Sequence, residues 1–248
     1  MTKRLRILAG PNGSGKTSVY NDLCKIGHPN FGIFVNADKI ELELKLTGTL
    51  DFRDYKISVN ETDLKEAYLS FRNQKASDFD IDFIKVTDNF LVLKDKSIGD
   101  SYFACFLAGF IRDKILETGV SPFTIETVMS HPSKLDFMEK AKRCGYRVYL
   151  YYVTTDSPMV NVSRVAERVS KGGHDVPENK INDRYYRSLD NLYGAIKLSD
   201  RAYLFDNSGK QYKLLAEYEG ISSTLNLQVS APSNWLKNYV LDKIVNDE

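Results

Sequence analysis

The stretch that decides the fold of this 248-residue chain is Gly10-Pro11-Asn12-Gly13-Ser14-Gly15-Lys16-Thr17. It matches the phosphate-loop pattern G-x-x-x-x-G-K-[ST] at every fixed position. The apolar run Leu5–Ala9 before it predicts a short strand, and the spacing of apolar residues in Lys16–Ile26 predicts a helix. A glycine loop between a strand and a helix is the context that supports the pattern, because loop N–H groups and the helix N-terminus then surround a phosphate.

This loop predicts a nucleoside triphosphate as the ligand. Lys16 supplies a point charge for the β- and γ-phosphates, and the Thr17 hydroxyl is a ligand for Mg²⁺. The candidate nucleotide-binding residues of the loop are Gly10, Pro11, Asn12, Gly13, Ser14, Gly15, Lys16, Thr17 and Ser18. The pattern does not say which reaction the nucleotide enters.

Composition and charge exclude several classes of protein. With 42% apolar and 27% charged residues the chain has the composition of a globular protein, and no apolar run approaches the ~18 residues of a membrane span. The formal net charge of +1 argues against a nucleic-acid coat protein, which needs a large basic excess. The basic N-terminus lacks the long apolar segment of a secretory signal, so we expect a cytoplasmic protein without a membrane partner.

Strands and helices alternate along the chain. Further strands are predicted at Phe31–Val35, Pro122–Ile125, Tyr146–Val153 and Ala202–Phe205, and helices at Lys39–Leu46, Tyr102–Glu117, Lys134–Arg143, Pro158–Ser170 and Pro177–Leu198. Two short strands and a helix from Asn234 follow. The alternation predicts an α/β fold, in which helices flank a parallel sheet on both faces.

The stretch 51–101 is less regular and is interpreted as an insertion. Glu61–Arg72 has the spacing of a helix. Ile81–Val86 and Phe90–Lys94 predict two strands, and Thr87-Asp88-Asn89 between them predicts the turn of a β-hairpin.

Polar groups stand at the ends of four predicted strands: the glycine loop, Asp38, Glu126 and Asp156. Ligands of parallel α/β sheets bind at the carboxyl ends of the strands, so we expect these groups to share one site. Asp38 also has a second interpretation. Asp38 and Glu41 have the spacing of a capping box, with Asp in place of Ser or Thr. Capping uses one carboxylate oxygen, so both roles can coexist.

Other motifs narrow the class of nucleotide-binding protein. A GTP switch needs D-x-x-G and then N-K-x-D, but Asn179-Lys180-Ile181-Asn182 lacks the final Asp and Asp206-Asn207-Ser208-Gly209 follows it. A mechanical ATPase usually carries Asp-Glu after an apolar strand, and the sequence has no such run. The single Asp38 after the second strand is typical of small-molecule kinases, in which a carboxylate accepts the proton of the acceptor hydroxyl.

Two basic helix faces predict a lid over the phosphates. Arg164 and Arg168 lie four residues apart on one helix, and Arg184 and Arg187 share a face of the next. Gly172-Gly173 between the helices predicts a hinge. Arginines on such a lid stabilise the charge of a transferring phosphoryl group. The alternative is a pair of ordinary amphipathic helices with solvated basic faces.

Several of these segments recur, in this order, in one family. They are the phosphate loop, Phe34–Asp38, Thr124–Thr127, Gly172–Pro177 and Arg184–Leu192. The chain resembles the zeta-toxin-like P-loop kinases over about Leu5–Ser199, with 51–101 only loosely included. The resemblance implies a P-loop kinase-like domain over 1–200 with 51–101 as an insertion. The strands and helix of 201–248 then complete the same domain.

The resemblance implies a kinase that transfers the γ-phosphate of ATP, with Mg²⁺, to a sugar hydroxyl. In the toxin branch that sugar is UDP-N-acetylglucosamine. Asp38 matches the catalytic base of the family. Glu126 and Thr127 match its substrate-binding segment.

The same resemblance assigns the cations of the site. Arg164 matches a lid arginine on the phosphates and joins Lys16 as a catalytic cation. The toxin branch has a second arginine shortly before the lid proline, and here His174 stands in that place. Arg168 or Arg184 on the neighbouring helical stretches is the candidate to supply that phosphate contact.

Two other functions stay open at the level of sequence. One is a non-catalytic ATP-binding regulatory or interaction module, or a toxin-like component controlled by an antitoxin-like protein partner, with 51–101 or the C-terminal tail as the docking surface. The other is a nucleic-acid 5′-hydroxyl kinase, against which the balanced charge argues. The expected partner of the favoured function is a small-molecule substrate.

Overall fold

The computed structural model describes residues 2–27, 30–73, 81–172 and 175–247. Gly173 and His174, which belong to the predicted lid hinge, lie outside these ranges. The chain divides into two compact units. The phosphate-loop unit combines Met1–Phe31 with Glu126–Glu248, and the central unit is Gly32–Ile125. The predicted organisation as one domain stays a prediction.

The elements follow the predicted alternation closely. The strands are β1 (Lys3–Ala9), β2 (Ile33–Val35), β3 (Thr49–Asp51), β4 (Ile84–Thr87), β5 (Phe90–Leu93), β6 (Phe123–Thr127), β7 (Tyr146–Thr154), β8 (Arg201–Asp206), β9 (Lys213–Glu219) and β10 (Thr224–Leu227). The helices are α1 (Lys16–Lys25), α2 (Ala37–Thr47), α3 (Glu61–Arg72), α4 (Ser101–Thr118), α5 (Ser133–Arg143), α6 (Pro158–Ser170), α7 (Glu178–Asp190), α8 (Leu192–Leu198), α9 (Asn234–Leu236) and α10 (Asp242–Asp247). Within the described ranges, none of these helices is both long and apolar enough to span a bilayer.

The sheet of the phosphate-loop unit has the strand order β10-β9-β8-β7-β1. β1, β7 and β8 run parallel, so that Leu5 lies opposite Val148 and Leu150 lies opposite Ala202. β9 and β10 extend the sheet as antiparallel strands. Helices α1, α5 and α8 pack against β7. This arrangement confirms the predicted α/β fold with a mostly parallel sheet and flanking helices.

One core cluster of this unit is formed by residues of β1, α1, β7 and β8 together with Phe31. The buried side chains that pack together there are Leu8, Val19, Phe31, Tyr151, Val153 and Phe205. A second cluster joins α6 to α7 through Val165, Val176 and Ile181. Each of the two basic helices therefore contributes an apolar residue to this cluster, Val165 from α6 and Ile181 from α7.

The predicted helix Pro177–Leu198 is wrong as one element. The structure has α7 and α8, with Asn191 between them. The Asn191 side-chain amide donates to the backbone oxygens of Arg187 (3.0 Å) and Met129 (2.9 Å). A side chain that bonds backbone groups in this way competes with the helical ladder, which accounts for the break.

The central unit contains a parallel pair and a small antiparallel sheet. β2 pairs with β6, with Ile33 opposite Phe123. β3, β5 and β4 form the antiparallel sheet, in that order. The β4–β5 hairpin is the predicted one, and its turn residues Asp88 and Asn89 both have positive φ (51° and 67°), as a two-residue type I′ turn requires. The sequence pattern does not indicate β3, because three residues give too short a pattern.

Candidate nucleotide-binding site

The glycines of the phosphate loop are required by its packing. Gly13 has a φ of +74°, and a Cβ there would lie 2.5 Å from the backbone oxygen of Asn161 in α6. Gly15 has a φ of +90°, and its Cβ would lie 2.1 Å from Nδ2 of Asn207, just after β8. Left-handed backbone and close contact both exclude a larger residue at these positions. The loop is therefore enclosed by α6 and by the turn that follows β8.

Lys16 is held against the backbone of the loop. Its Nζ atom donates to the carbonyl oxygens of Gly10 and Pro11, both at 2.9 Å, and the residue is buried. No side chain caps the N-terminus of α1, and its first turn carries no acidic residue. The positive end of the helix dipole and the Lys16 ammonium thus lie at the same end of the loop, where they favour an anion.

Two predicted site residues, Thr17 and Glu126, lie together. The Thr17 hydroxyl donates to Oε1 of Glu126 at 3.5 Å. Next to Glu126 in β6, the backbone oxygen of Thr127 accepts from the N–H of Gly10 (3.2 Å). Burial, a hydrogen bond to Cys24 and the charges of Cys24 and Glu126 raise the pKa of Tyr20 to about 12, so this phenol stays protonated at neutral pH. The end of β6 therefore contacts both the start of the loop and the start of α1.

The arginines that the sequence predicts for the site lie at different distances from the phosphate loop. Arg184 of α7 donates from Nη1 to Oδ1 of Asn12 in the loop (3.4 Å). Arg164 of α6 donates from Nη2 to the backbone oxygen of Gly209 (3.3 Å). Arg168 is exposed on the next turn of α6. The structure thus brings Arg184 onto the loop itself and Arg164 onto the turn beside it.

Three buried polar atoms around the loop have no hydrogen-bond partner among the residues that the structure describes. They are Ser14 Oγ, Asn161 Nδ2 and Arg164 Nη1. A buried polar atom left unpaired costs about 1–3 kcal/mol, so such atoms are normally paired. Their grouping at a phosphate loop fits a polar ligand as the missing partner.

Residues that the sequence reasoning missed also shape the site. Asn207 donates from Nδ2 to the backbone oxygen of Ser14 (2.8 Å), and Asn161 packs on Gly13. Asn207 follows a predicted strand, so the rule that ligands bind at strand ends could have singled it out. Asn161 has no comparable signal, because it lies inside an amphipathic helix.

Asp156, another predicted strand-end group, also lies beside the turn after β8. Its backbone N–H donates to Oγ of Ser208 (2.8 Å). Burial raises the pKa of the Asp156 carboxyl, and the nearby charge of Asp206 raises it further. This turn therefore brings two carboxylates close to each other in the phosphate-loop unit.

Asp38 lies in the central unit, where the capping interpretation proves wrong. Helix α2 starts at Ala37, and its N-cap is Asn36, whose Oδ1 accepts from the N–H of Lys39 (3.1 Å). Asp38 is the second residue of the helix and is exposed. The helix begins two residues earlier than the sequence suggests, so the capping oxygen comes from Asn36 and not from Asp38.

Solved structures with the same architecture identify the fold. A chain from the AvrRxo1-ORF1:AvrRxo1-ORF2 complex with sulphate ions matches 92% of this chain, with a TM-score of 0.56 and 15% identity. A chain of the same complex with ATP gives the same three values. A chain from the PezAT chromosomal toxin-antitoxin system of Streptococcus pneumoniae matches 97% of this chain, with a TM-score of 0.52 and 14% identity. The chain has the zeta-toxin-like P-loop kinase fold.

Sequence comparisons do not identify a family for this chain. No protein-family model matches the chain. An uncharacterized protein of Haemophilus influenzae is 33% identical over 63 residues, which make up 25% of this chain and 45% of that protein. The chain spans 61–62% of the length of the AvrRxo1 complex chains and 80% of the PezAT chain. At such low identities the structural likeness concerns the zeta-toxin-like fold and not the reaction.

Proposed function

We propose that this chain is an ATP-dependent phosphotransferase that moves the γ-phosphate of ATP to a hydroxyl group of a small molecule. The observation that carries the proposal is the convergence of Lys16, Arg184 and Arg164 on one phosphate loop and its adjoining turn. A solved structure with this fold contains ATP, which supports ATP as the nucleotide.

The cations of the site are suited to exchange their present partners for phosphate. Lys16 and Arg164 donate to backbone carbonyls, and Arg184 donates to a neutral amide. A phosphate oxygen carries a negative charge that a carbonyl or amide oxygen lacks, so a triphosphate competes well for all three cations. We assign Lys16 and Arg164 to stabilising the transferring phosphoryl group, and Arg184 to nucleotide binding. Arg168 is a weaker candidate for nucleotide binding, because it is exposed.

The site also has ligands that fit Mg²⁺. The Thr17 hydroxyl and the Glu126 carboxylate, 3.5 Å apart, are hard oxygen ligands of the kind that Mg²⁺ selects, and protein sites for Mg²⁺ use few carboxylates together with substrate phosphates. When bound, Mg²⁺ neutralises charge on the β- and γ-phosphates. We therefore propose Thr17 as a magnesium ligand. Glu126 then serves the metal or, with Thr127, the substrate.

Asp38 is our proposed general base for the acceptor. It is exposed in the first turn of α2. The N-cap of this helix is Asn36, so the helix does not use the Asp38 carboxylate as its cap. A carboxylate in this role accepts the hydroxyl proton as the phosphoryl group transfers. The acceptor that we propose is a sugar hydroxyl, with a nucleotide sugar such as UDP-N-acetylglucosamine as the first compound to test.

The test is ADP production by the purified protein with ATP, Mg²⁺ and a panel of acceptors. The panel contains UDP-N-acetylglucosamine, simple sugars, nucleosides and an oligonucleotide with a 5′-hydroxyl. We expect ADP to form above the acceptor-free rate with one small-molecule class. Equal ADP formation with and without every acceptor would contradict the proposal. A rate that is highest with the oligonucleotide would favour a nucleic-acid kinase instead.

A second candidate is a toxin-like component controlled by a partner protein. Its support is that the structural neighbours come from two-component assemblies, namely AvrRxo1-ORF1:AvrRxo1-ORF2 and the PezAT toxin-antitoxin system. ATP binding without turnover against the whole panel would favour a non-catalytic form of this candidate. Phosphotransfer activity that a co-expressed partner protein suppresses would support both proposals.

A further inference from the structure

The turn Asp206–Gly209, which begins with the last residue of β8, contacts the candidate nucleotide site at several points without containing a predicted site residue. Asn207 is fixed from two sides. Its backbone N–H donates to the oxygen of Thr154 at the end of β7 (2.8 Å), and its Nδ2 donates to the backbone oxygen of Ser14 (2.8 Å). The amide also contacts the loop so closely that a Cβ on Gly15 would overlap it.

The hydrogen bond from Asn207 determines how one peptide unit of the loop is turned. The carbonyl of Ser14 and the N–H of Gly15 belong to the same planar trans peptide, so they point in opposite directions. A donor that holds the Ser14 oxygen therefore directs the Gly15 N–H away from Asn207. Phosphate loops bind anions through backbone N–H groups with fixed directions.

Asp206 links the same turn to the C-terminal segment. Its Oδ1 accepts from the N–H of Ser208 (2.9 Å), and its Oδ2 accepts from Nε1 of Trp235 (2.8 Å). Trp235 lies in α9 and is 3% exposed. The carboxylate thus bridges the turn and a buried side chain that is 29 residues away in sequence.

The far end of the turn contacts the basic helix α6. The backbone oxygen of Gly209 accepts from Nη2 of Arg164 (3.3 Å), and Oγ of Ser208 accepts from the N–H of Asp156 (2.8 Å). These four residues therefore contact the phosphate loop, Arg164 of α6 and Trp235 of α9.

We propose that Asn207 is a positioning residue for the phosphate loop, and that the Asp206–Trp235 hydrogen bond holds Asn207 in place. Trp235 and Asp206 then influence the affinity for nucleotide although neither is a proposed phosphate ligand. This inference rests on the proposed function, because it assumes that the loop binds ATP. It adds residues 206, 207 and 235 to the determinants of that site.

The main test measures ATP affinity in Asn207→Ala. We expect the Kd for ATP to rise about 10-fold, the effect of losing one buried hydrogen bond that orients a ligand group. In the transfer reaction the KM for ATP should rise, while kcat at saturating ATP stays within about twofold. The unfolding temperature without nucleotide should fall by no more than about 4 °C, the shift that losing one hydrogen bond causes, whereas a general loss of stability would lower it further.

Trp235→Phe tests the link to the C-terminal segment. It removes the Nε1 donor and keeps an aromatic ring, and we expect the Kd for ATP to rise about threefold. Because Trp235 is the single tryptophan of the chain, its fluorescence also reports the turn directly. ATP should change this fluorescence in the wild type and much less in Asn207→Ala.

The matched control is Asn89→Gly in the central unit. Asn89 also donates from its amide to a backbone oxygen, that of Ile57 (2.8 Å), and its positive φ suits glycine. It should bind ATP as the wild type does. If Asn207→Ala fails to fold, the Kd for ATP of Trp235→Phe provides the test instead.

The outcomes separate this inference from the proposed function. A wild-type Kd in Asn207→Ala or, if that variant does not fold, in Trp235→Phe would overturn the inference and leave the proposed function intact. A wild-type protein that binds no ATP would overturn both.

Discussion

The phosphate-loop unit and the central unit differ in how their proposed site residues are held. In the phosphate-loop unit, Lys16 is buried against its own loop, and the packing leaves no space for a side chain at Gly13 or Gly15. In the central unit, Asp38 is exposed in the first turn of a helix that another residue caps. The contrast teaches that the proposed nucleotide-binding residues are fixed by the packing of one unit, whereas the proposed general base is a single solvent-facing carboxylate of the other.

Lys16→Ala should have the largest effect on the transfer reaction. It tests the proposed role of the phosphate-loop unit. Losing the ammonium removes a charge from both ground state and transition state, so we expect kcat/KM for ATP to fall about 10⁴-fold. Lys25→Ala is the control, because Lys25 ends the same helix and pairs with Asp22 at 2.9 Å on the surface. Measured transfer rates that are equal in the two variants would contradict the role of Lys16.

Asp38→Asn should lower kcat about 10³-fold and leave the Kd for ATP unchanged. The amide keeps the size of the side chain but cannot accept the acceptor proton. Asn36→Asp is the matched control, since a carboxylate at position 36 still accepts from the N–H of Lys39 and preserves the cap. Retained transfer in Asp38→Asn would remove the general base from the account and leave only the nucleotide site.

The two arginines of α6 provide a finer test within the phosphate-loop unit. Arg164 has one guanidinium nitrogen buried without a partner in the described part of the chain, whereas Arg168 is exposed. We expect Arg164→Ala to lower the transfer rate about 10²-fold and Arg168→Ala to change it about twofold or less. Initial rates at saturating ATP measure both. Equal losses would show that the lid acts through its overall charge and not through one placed arginine.

Whether the sequence alone predicts a feature of this structure depends on how far apart in sequence the residues that determine the feature lie. The phosphate loop, the alternation of strands and helices from β1 and α1 onward, and the β4–β5 hairpin follow from local patterns, which need no tertiary information. The start of α2 at Ala37, after its N-cap Asn36, and the break at Asn191 depend on side-chain hydrogen bonds to particular backbone groups. Asn207 acts on Ser14 across 193 positions, and no local pattern encodes such a contact.

The smallest effect that we expect is that of Glu61→Gln on the stability of the central unit. Its carboxylate accepts from Nζ of Lys65 (2.7 Å) and from the N–H of Val86 (3.1 Å), which lower its pKa from 4.5 to about 2. A lowered folded-state pKa gives stability that is present above the unfolded pKa and is lost as pH falls from about 4.5 to about 2. Glu61→Gln should therefore be less stable than the wild type near neutral pH, and the difference should shrink in acid.

Urea unfolding at a series of pH values measures this difference. Glu66→Gln is the control, because Glu66 is exposed on the same helix. A difference between wild type and Glu61→Gln that stays constant from pH 7 to about pH 2 would rule out the ionised Glu61 as its source.

The central claim is that ATP gives its γ-phosphoryl group to a hydroxyl acceptor at this site. Mass spectrometry of a reaction with ATP, Mg²⁺ and the active acceptor tests it most directly. We expect one phosphorylated acceptor molecule for each ADP formed, and no product from Lys16→Ala. ADP accompanied only by free phosphate, or bound ATP that stays intact with every acceptor, would contradict it.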